Sequence, residues 1–381
     1  TFFFTHAEYA IFCSVSYLIP IKRQFMLSKP FASKLLISLL AITSASTNAS
    51  ESLSDSEKPL SQASEPLSPI KPATATSQKE KICAIYPHLK DSYWLSVNYG
   101  MVSEAEKQQV EFRVLEAGGY PNVAKQASQL VLCTKWGADA IILGTVSPDA
   151  YHDNLTDWVG STPVFATVNE LTVSEEQQKV LKGTVGVDWY QMGFQVGEYL
   201  AKLHPKGSGK TPIALLLGPQ SSGGTKPVAL GFYDAIKSSD VTIAISYWAD
   251  NDKELQRNLV QQVIEQPDIK YIVGSAVAIE AAISELRAAG KTKEIGLISS
   301  YLSHGIYRGL LRNKVLFAPT DKMVEQGRLS VKQAVSYLRG QPYEVHSAPT
   351  IEALTPATLK DQIIADSLSP SEFRPVFSVN P

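Results

Sequence analysis

From Lys81 onward the chain alternates short β-rich runs with helical stretches, and this alternation admits one fold class. The runs ICAIY (82–86), VEFRVLEA (110–117), ADAIILG (138–144), PVFATV (163–168) and GTVGVD (183–188) are rich in β-branched and aromatic residues and too short for helices. Between them, Trp94–Gln108, Asn122–Trp136 and Asp149–Val159 carry helical spacing. The pattern restarts with WYQMGFQVGEYLAKL and runs through PIALLLG, VALGFYDAIKSS, TIAISYW, KELQRNLVQQVIEQ, KYIVGSA, AIEAAISELRAAG and IGLISS. A last section reads HGIYRGLLRNK, VLFAPT, VEQGRLSVKQAVSYLRG and a tail. Strands separated by helices pair in parallel through crossovers, which cover both faces of the sheet with helices. About 300 residues of it form two such units, so the expected class is α/β with two Rossmann-like parallel-sheet lobes.

The first 80 residues carry no such pattern. Met26 opens MLSKPFASKLLISLLAITSASTNAS, where Lys29 and Lys34 form a positive region, Leu35 to Ile42 an apolar one, and Thr47-Asn48-Ala49 a small-residue cleavage site. Residues 26–49 are therefore expected to be a signal peptide, cut after Ala49. Residues 1–25, with the short apolar stretch YAIFCSVSYLIPI, read as a non-native upstream extension, the alternative being an uncleaved anchor. Residues 50–80, dominated by Ser, Pro, Glu and Lys, are expected to be a disordered tether, since they cannot bury enough apolar surface to fold.

Charge and motifs exclude several functions. Lys and Arg number 35 against 37 Asp and Glu, which is no footprint for nucleic acid or a membrane surface. Six histidines show neither HxxxH nor HExxH spacing, so no metal site is expected. KGSGKT (206–211) resembles a phosphate loop, but His204 stands where that motif needs Gly, and the stretch precedes a strand instead of following one. GPQSSGG (218–224) is not GxGxxG and reads as a loop at a cleft edge. No GxSxG elbow and no compelling carboxylate pair occur, so the chain is not expected to be an enzyme or to carry a cofactor.

The aromatic residues point elsewhere. In an open parallel sheet, ligands bind beyond the carboxyl ends of the strands. Tyr93 and Trp94 follow the first strand, Tyr120 the second, Trp189 the GTVGVD strand and Tyr301 the IGLISS strand. A single aromatic at a helix start usually packs; five gathered on one edge read as a pocket wall. Trp136 and Trp158 fall at the opposite edge and are expected to pack, as is Tyr190, which points roughly 100° away from Trp189 on a helix. Trp248 follows a second-lobe strand and is left unassigned. Asp91 is read first as a helix N-cap, alternatively as a negative charge for a cationic ligand.

With Cys13 in the leader, Cys83 and Cys133 are left for an oxidising compartment. In a strand order 2-1-3 the second helix crosses over the first strand, which brings Cys133, near that helix's end, to Cys83, near that strand's beginning. One disulfide is the expectation, two buried thiols the alternative.

The motifs YPHLKDSYWLSVNYGM, VLEAGGY, WGADAIILG, GVDWYQMG, DNDKELQRNL, SYLSHGIYRGL and LSPSEFRPVF resemble a narrow branch of the type I periplasmic binding proteins. That branch comprises the TorT-type proteins of trimethylamine N-oxide (TMAO) regulatory systems. The likeness covers about Lys81 to Phe377. It implies two lobes joined by three crossovers, near Val187–Asp188, Ser300–Ser303 and His346–Ala348. Residues 81–187 and 303–346 would form the N-terminal lobe, and 188–302 with 347–381 the C-terminal one. It also implies TMAO in the interlobe cleft and, as partner, the periplasmic domain of a TorS-type membrane sensor histidine kinase. Tyr93, Trp94, Tyr120, Trp189 and Tyr301 would form the cage, with Asp91 as a polar contributor. Such rings suit a methylated cationic nitrogen, and their Trp N–H and Tyr hydroxyl groups could donate to the N-oxide oxygen. The competing reading is a transport-type binding protein delivering a sugar or methylated amine to an ABC permease.

Overall fold

The computed structural model describes residues 79–220 and 222–381. The expected upstream extension and signal peptide, and all but the last two residues of the expected tether, lie outside the described residues.

The first half builds β1 (Lys81–Tyr86), α1 (Ser92–Gln108), β2 (Glu111–Glu116), α2 (Val123–Lys135), β3 (Ala140–Leu143), α3 (Leu155–Val159), β4 (Val164–Thr167) and β5 (Leu181–Val185). These strands pair in parallel in the order β5-β4-β3-β1-β2, so the expected 2-1-3 core is present. β1 sits in the middle with Ile82 to Tyr86 all buried, which is why it reads as an unbroken apolar run rather than an alternating one. The helix expected over Asp149–Val159 shrinks to α3, because residues before Leu155 form turns in which His152 N–H bonds the Asp149 carbonyl. Asp149, Asp153 and Asn154 favour such local turns over a helix interior.

The chain then forms α4 (Trp189–Leu203), β6 (Thr211–Leu216), α5 (Thr225–Ile236), β7 (Val241–Ser246), α6 (Lys253–Ile264), β8 (Tyr271–Gly274), α7 (Ala276–Ala288), β9 (Gly296–Ser299) and α8 (His304–Leu311). A second parallel sheet runs β7-β6-β8-β9. The last section supplies β10 (Ala318–Thr320), α9 (Met323–Leu338), β11 (His346–Ser347), β12 (Glu352–Leu354), α10 (Asp361–Ser367) and β13 (Ser378–Val379).

Pairing redraws the lobe boundaries expected at 303 and 347. Phe317 bridges to Ile298, so the strand leading into β10 continues the second sheet, and α8 packs on α7. α9 lies against α1, β3, β4 and β5 of the first lobe, and β11 extends that lobe's sheet beside β5. β13 pairs antiparallel with β2, and Asn98 of α1 holds the Val376 backbone through two hydrogen bonds of 3.0 Å. Residues 304–317 thus pack with the second lobe; of the C-terminal segment, β12 pairs antiparallel with β10 and β13 with β2 of the first lobe. The cause is burial: Ile306 and Leu310 are fully buried in the second lobe, while Val379 covers the β2 edge.

Cys83 and Cys133 form a disulfide with Cα atoms 5.7 Å apart, between the start of β1 and the end of α2, so the thiol alternative does not hold.

Candidate functional site

A cavity of about 50 Å³ lies between the lobes at the carboxyl ends of both sheets. All six expected residues, Asp91, Tyr93, Trp94, Tyr120, Trp189 and Tyr301, line it. Asp91 caps α1, its carboxylate accepting the Trp94 N–H at 3.1 Å, and the same group stands at the cavity wall. Its two readings are therefore compatible. The cap positions the first turn of α1 and so aims Tyr93 and Trp94.

Trp94 is 1 % exposed and forms the floor. Its ring stacks on Tyr86 at 5.4 Å between centroids and lies over Gly144, where a Cβ would stand 2.4 Å from the ring. Tyr93 meets Tyr301 edge-on at 5.4 Å and Trp189 at 6.3 Å. Trp189 comes from the second lobe and donates its indole N–H to the Val168 carbonyl of the first at 3.2 Å. Val168 holds φ at 64°, a conformation costly for a β-branched residue and typical of functional loops.

The Trp189 ring rests on Gly224, where a Cβ would approach it to 2.8 Å. Gly224→Ala is accordingly expected to push the indole into the cavity and weaken ligand binding about tenfold, with little change in unfolding midpoint. Calorimetric titration with a thermal melt checks it.

The polar atoms of these rings correct one expectation. The Trp94 N–H donates to the Tyr120 hydroxyl at 3.4 Å, the Trp189 N–H to Val168, and the Tyr93 hydroxyl to Asp321. Both indole donors and one phenol are committed to protein, so Trp94, Trp189 and Tyr93 present faces and edges rather than hydrogen bonds. Tyr120 differs, because its oxygen already accepts Trp94 and also faces the Asn169 amide, leaving its own proton free for a ligand. Burial pushes the Tyr120 hydroxyl up to about 12, against the two hydrogen bonds that lower it. Burial likewise raises Tyr93 and Tyr301 well above the ordinary phenol range, so all three are protonated donors at neutral pH.

Sequence reading missed the polar part of the wall: Asn169 after β4, Ser222 and Thr225 around the start of α5, and Asn251 before α6. Asn169 is anchored to the Thr145 carbonyl at 2.7 Å, and the side-chain carbonyl of Asn251 has no partner. Each follows a strand at its carboxyl end, the one signal that could have found them. The GPQSSGG loop contributes Ser222 and Gly224, so it belongs to the wall of the cavity.

The control residues lie elsewhere. Trp136 packs under Arg113 at 4.4 Å and Lys81 at 5.5 Å, and Trp158 packs against the core that contains the disulfide. Trp248 is partly buried against the main core and does not line the cavity. Tyr190, expected to pack, is 39 % exposed and donates to Asp234 at 2.9 Å.

Among the described residues no Lys, Arg or His lines the cavity, and Asp91 is the one carboxylate that does. Among the described residues no cluster of three or more His, Cys, Asp or Glu side chains could hold a metal ion. In the measure where one water needs about 10–15 Å³, the cavity holds only a handful of heavy atoms. The arrangement is chemically specific: aromatic faces on several sides, one negative charge, neutral donors, and a small volume.

The profile of the family described as "Periplasmic binding proteins and sugar binding domain of LacI family" matches residues 79–373. The periplasmic protein TorT of Escherichia coli (strain K12) is 45 % identical over 301 residues, spanning 78 % of this chain and 84 % of that protein. Crystal structures of the TorS sensor domain–TorT complex, one without ligand and one in the presence of TMAO, match at 72 % identity and a TM-score of 0.75. Each match covers 78 % of this chain and 100 % of the solved one. An ABC transporter solute-binding protein from Bradyrhizobium sp. BTAi1 with bound Bis-Tris matches at 35 % identity and a TM-score of 0.66, over 79 % of this chain and 90 % of its own.

Proposed function

The chain belongs to the periplasmic binding proteins, and from that premise we propose that it binds TMAO in the interlobe cavity and signals by docking on the periplasmic domain of a TorS-type sensor histidine kinase. The observation that carries the ligand is the cavity itself: an aromatic cage of about 50 Å³ with, among the described residues, one carboxylate and no cation. TMAO presents a positive nitrogen under three methyl groups and a small, strongly accepting oxygen. Ring faces attract the methylated cation with about 0.5–2 kcal/mol per good contact. The Tyr120 hydroxyl, whose proton is free, supplies the donor for the oxygen, with Tyr301 and the Asn251 amide beside it.

Tyr93, Trp94, Tyr120, Trp189 and Tyr301 are the proposed ligand-binding residues, with Asp91 drawn to the ammonium side. The protein is a binder rather than an enzyme in this reading: nothing in the cavity pairs a nucleophile with a base. A sugar needs more volume and more amide and charged groups than this wall offers.

Signalling follows from the two-lobe build. Trp189 and Tyr301 come from one lobe and Tyr93, Trp94 and Tyr120 from the other, so a ligand held by all of them favours closure. A kinase that contacts both lobes then reads ligand through its different affinity for the two states. Unchanged kinase affinity and activity on adding TMAO would defeat that part of the proposal.

Calorimetric titration of the purified protein with TMAO, trimethylamine and ribose tests the ligand. Saturable TMAO binding with trimethylamine at least tenfold weaker and ribose silent is the expected result, since trimethylamine lacks the oxygen that Tyr120 reads. Tight ribose binding would overturn it. Tyr120→Phe should narrow the gap between TMAO and trimethylamine, which identifies the donor.

A further inference from the structure

Behind the cavity, and outside its lining, stands a fully buried cluster that the cage alone does not explain. Asp321 is 1 % exposed and Gln326 is fully buried. The Asp321 carboxylate accepts the Tyr93 hydroxyl and, at 2.9 Å, the Gln326 amide, which also donates to the Asp321 backbone carbonyl at 3.0 Å. The second carboxylate oxygen of Asp321 and the side-chain carbonyl of Gln326 have no partner. Burying a carboxylate that is only half satisfied costs stability, so it is not explained as a device for holding the fold together.

Its position in the chain is the second observation. Asp321 directly follows β10, which pairs antiparallel with β12 and is preceded by Phe317, bridged to Ile298 of the second sheet; Lys322 then leads into α9, which packs on α1 in the first lobe. It therefore sits in the passage between lobes, and the next residue, Lys322, adopts the left-handed conformation at φ 55°. Tyr93, 228 residues earlier, touches Trp189 and Tyr301 of the second lobe with its ring and Asp321 with its hydroxyl.

We infer that Asp321 is a positioning residue that ties the Tyr93 wall of the cavity to the interlobe passage, so that occupancy of the cavity and the geometry of the hinge are set together. It acts through Tyr93 and does not touch the ligand. Tyr93 transmits in both directions: a ligand that fixes its ring fixes Asp321, and a passage that moves Asp321 tilts the ring. The inference deepens the TMAO reading and rests on it for the ligand arm of its test.

The experiment compares the wild type with Tyr93→Phe, Asp321→Asn and the double variant. Hydrogen exchange of the ligand-free proteins comes first, because it needs no ligand. Tyr93→Phe should speed exchange at the backbone amides of Lys322 and Met323 about tenfold while leaving α5 unchanged. Unchanged exchange at these amides would overturn the inference. TMAO titration comes second. Each single variant should bind about tenfold more weakly, and the double variant no more weakly than the worse single one, as residues of one coupled unit do. Asp321→Asn should leave the unfolding midpoint unchanged or raised, which a merely structural role would not give. Variants that bind like wild type, or losses that multiply, would overturn the coupling. A wild type that fails to bind TMAO would defeat the functional reading, and the exchange arm would still decide the tie.

Discussion

Replacing Trp189 with alanine is expected to weaken TMAO binding by two orders of magnitude or more. The indole supplies one aromatic face, worth about 0.5–2 kcal/mol toward a methylated cation. It also supplies the interlobe hydrogen bond to the Val168 carbonyl, which closes the cleft at 3.2 Å and contributes about 1 kcal/mol net. Truncation adds the loss of apolar contact with the methyl groups, bringing the total to about 3 kcal/mol, or roughly a hundredfold. Because Trp189 is the first residue of α4 and only half-buried, its loss should leave the unfolding midpoint nearly unchanged. Calorimetry alongside a thermal melt separates the two effects. Binding within threefold of wild type would remove Trp189 from the cage.

The second large effect concerns stability alone. Cys83 and Cys133 are both fully buried and close a loop with a sequence separation of 50. Chain-entropy arguments put such a cross-link at about 4 kcal/mol of stabilisation. Converting both to alanine should lower the melting temperature by about 6 °C, taking an unfolding entropy of about 2.1 cal/mol/K per residue over the folded part. The bond joins the start of β1 to the end of α2, at the sheet edge opposite the cavity, so TMAO affinity should stay within about twofold. Urea titration and calorimetry on the same sample test both halves. An unchanged urea midpoint, or a collapse of binding in protein that is still folded, would show that this division is wrong.

Much of the cavity lining is legible in the sequence, for a physical reason. A parallel strand presents its carboxyl end to the ligand edge, so the residue type just after each strand can be read once the strands are found. Tyr93, Trp94, Tyr120, Trp189 and Tyr301 were all reached that way, and Trp136 and Trp158 were correctly set apart by lying at the other ends of their helices. Asn169, Asn251, Ser222 and Thr225 obey the same positional rule but are ordinary loop residues by type, so nothing in their identity singled them out. The packing of the late segments is hard to read from sequence for a different reason. The stretch HGIYRGLLRNK has the same helical pattern whichever lobe it packs on, and only the burial of Ile306 and Leu310 against α7 assigns it. The C-terminal strand Ser378–Val379 is too short to carry any periodicity, and its place beside β2 comes from backbone pairing.

By itself the sequence determined the α/β class, the parallel-sheet alternation and the edge at which the aromatic residues gather, and it made a Cys83–Cys133 bridge geometrically reasonable. These follow from local periodicity and from the handedness and direction of parallel crossovers, which act over a few residues to a few tens. The tertiary structure alone decided which polar atom each ring spends on the protein, which lobe owns each late segment, and that Asp321 stands behind Tyr93. Those outcomes depend on contacts between residues up to 278 positions apart, and no local pattern encodes the partner of a hydrogen bond across that distance.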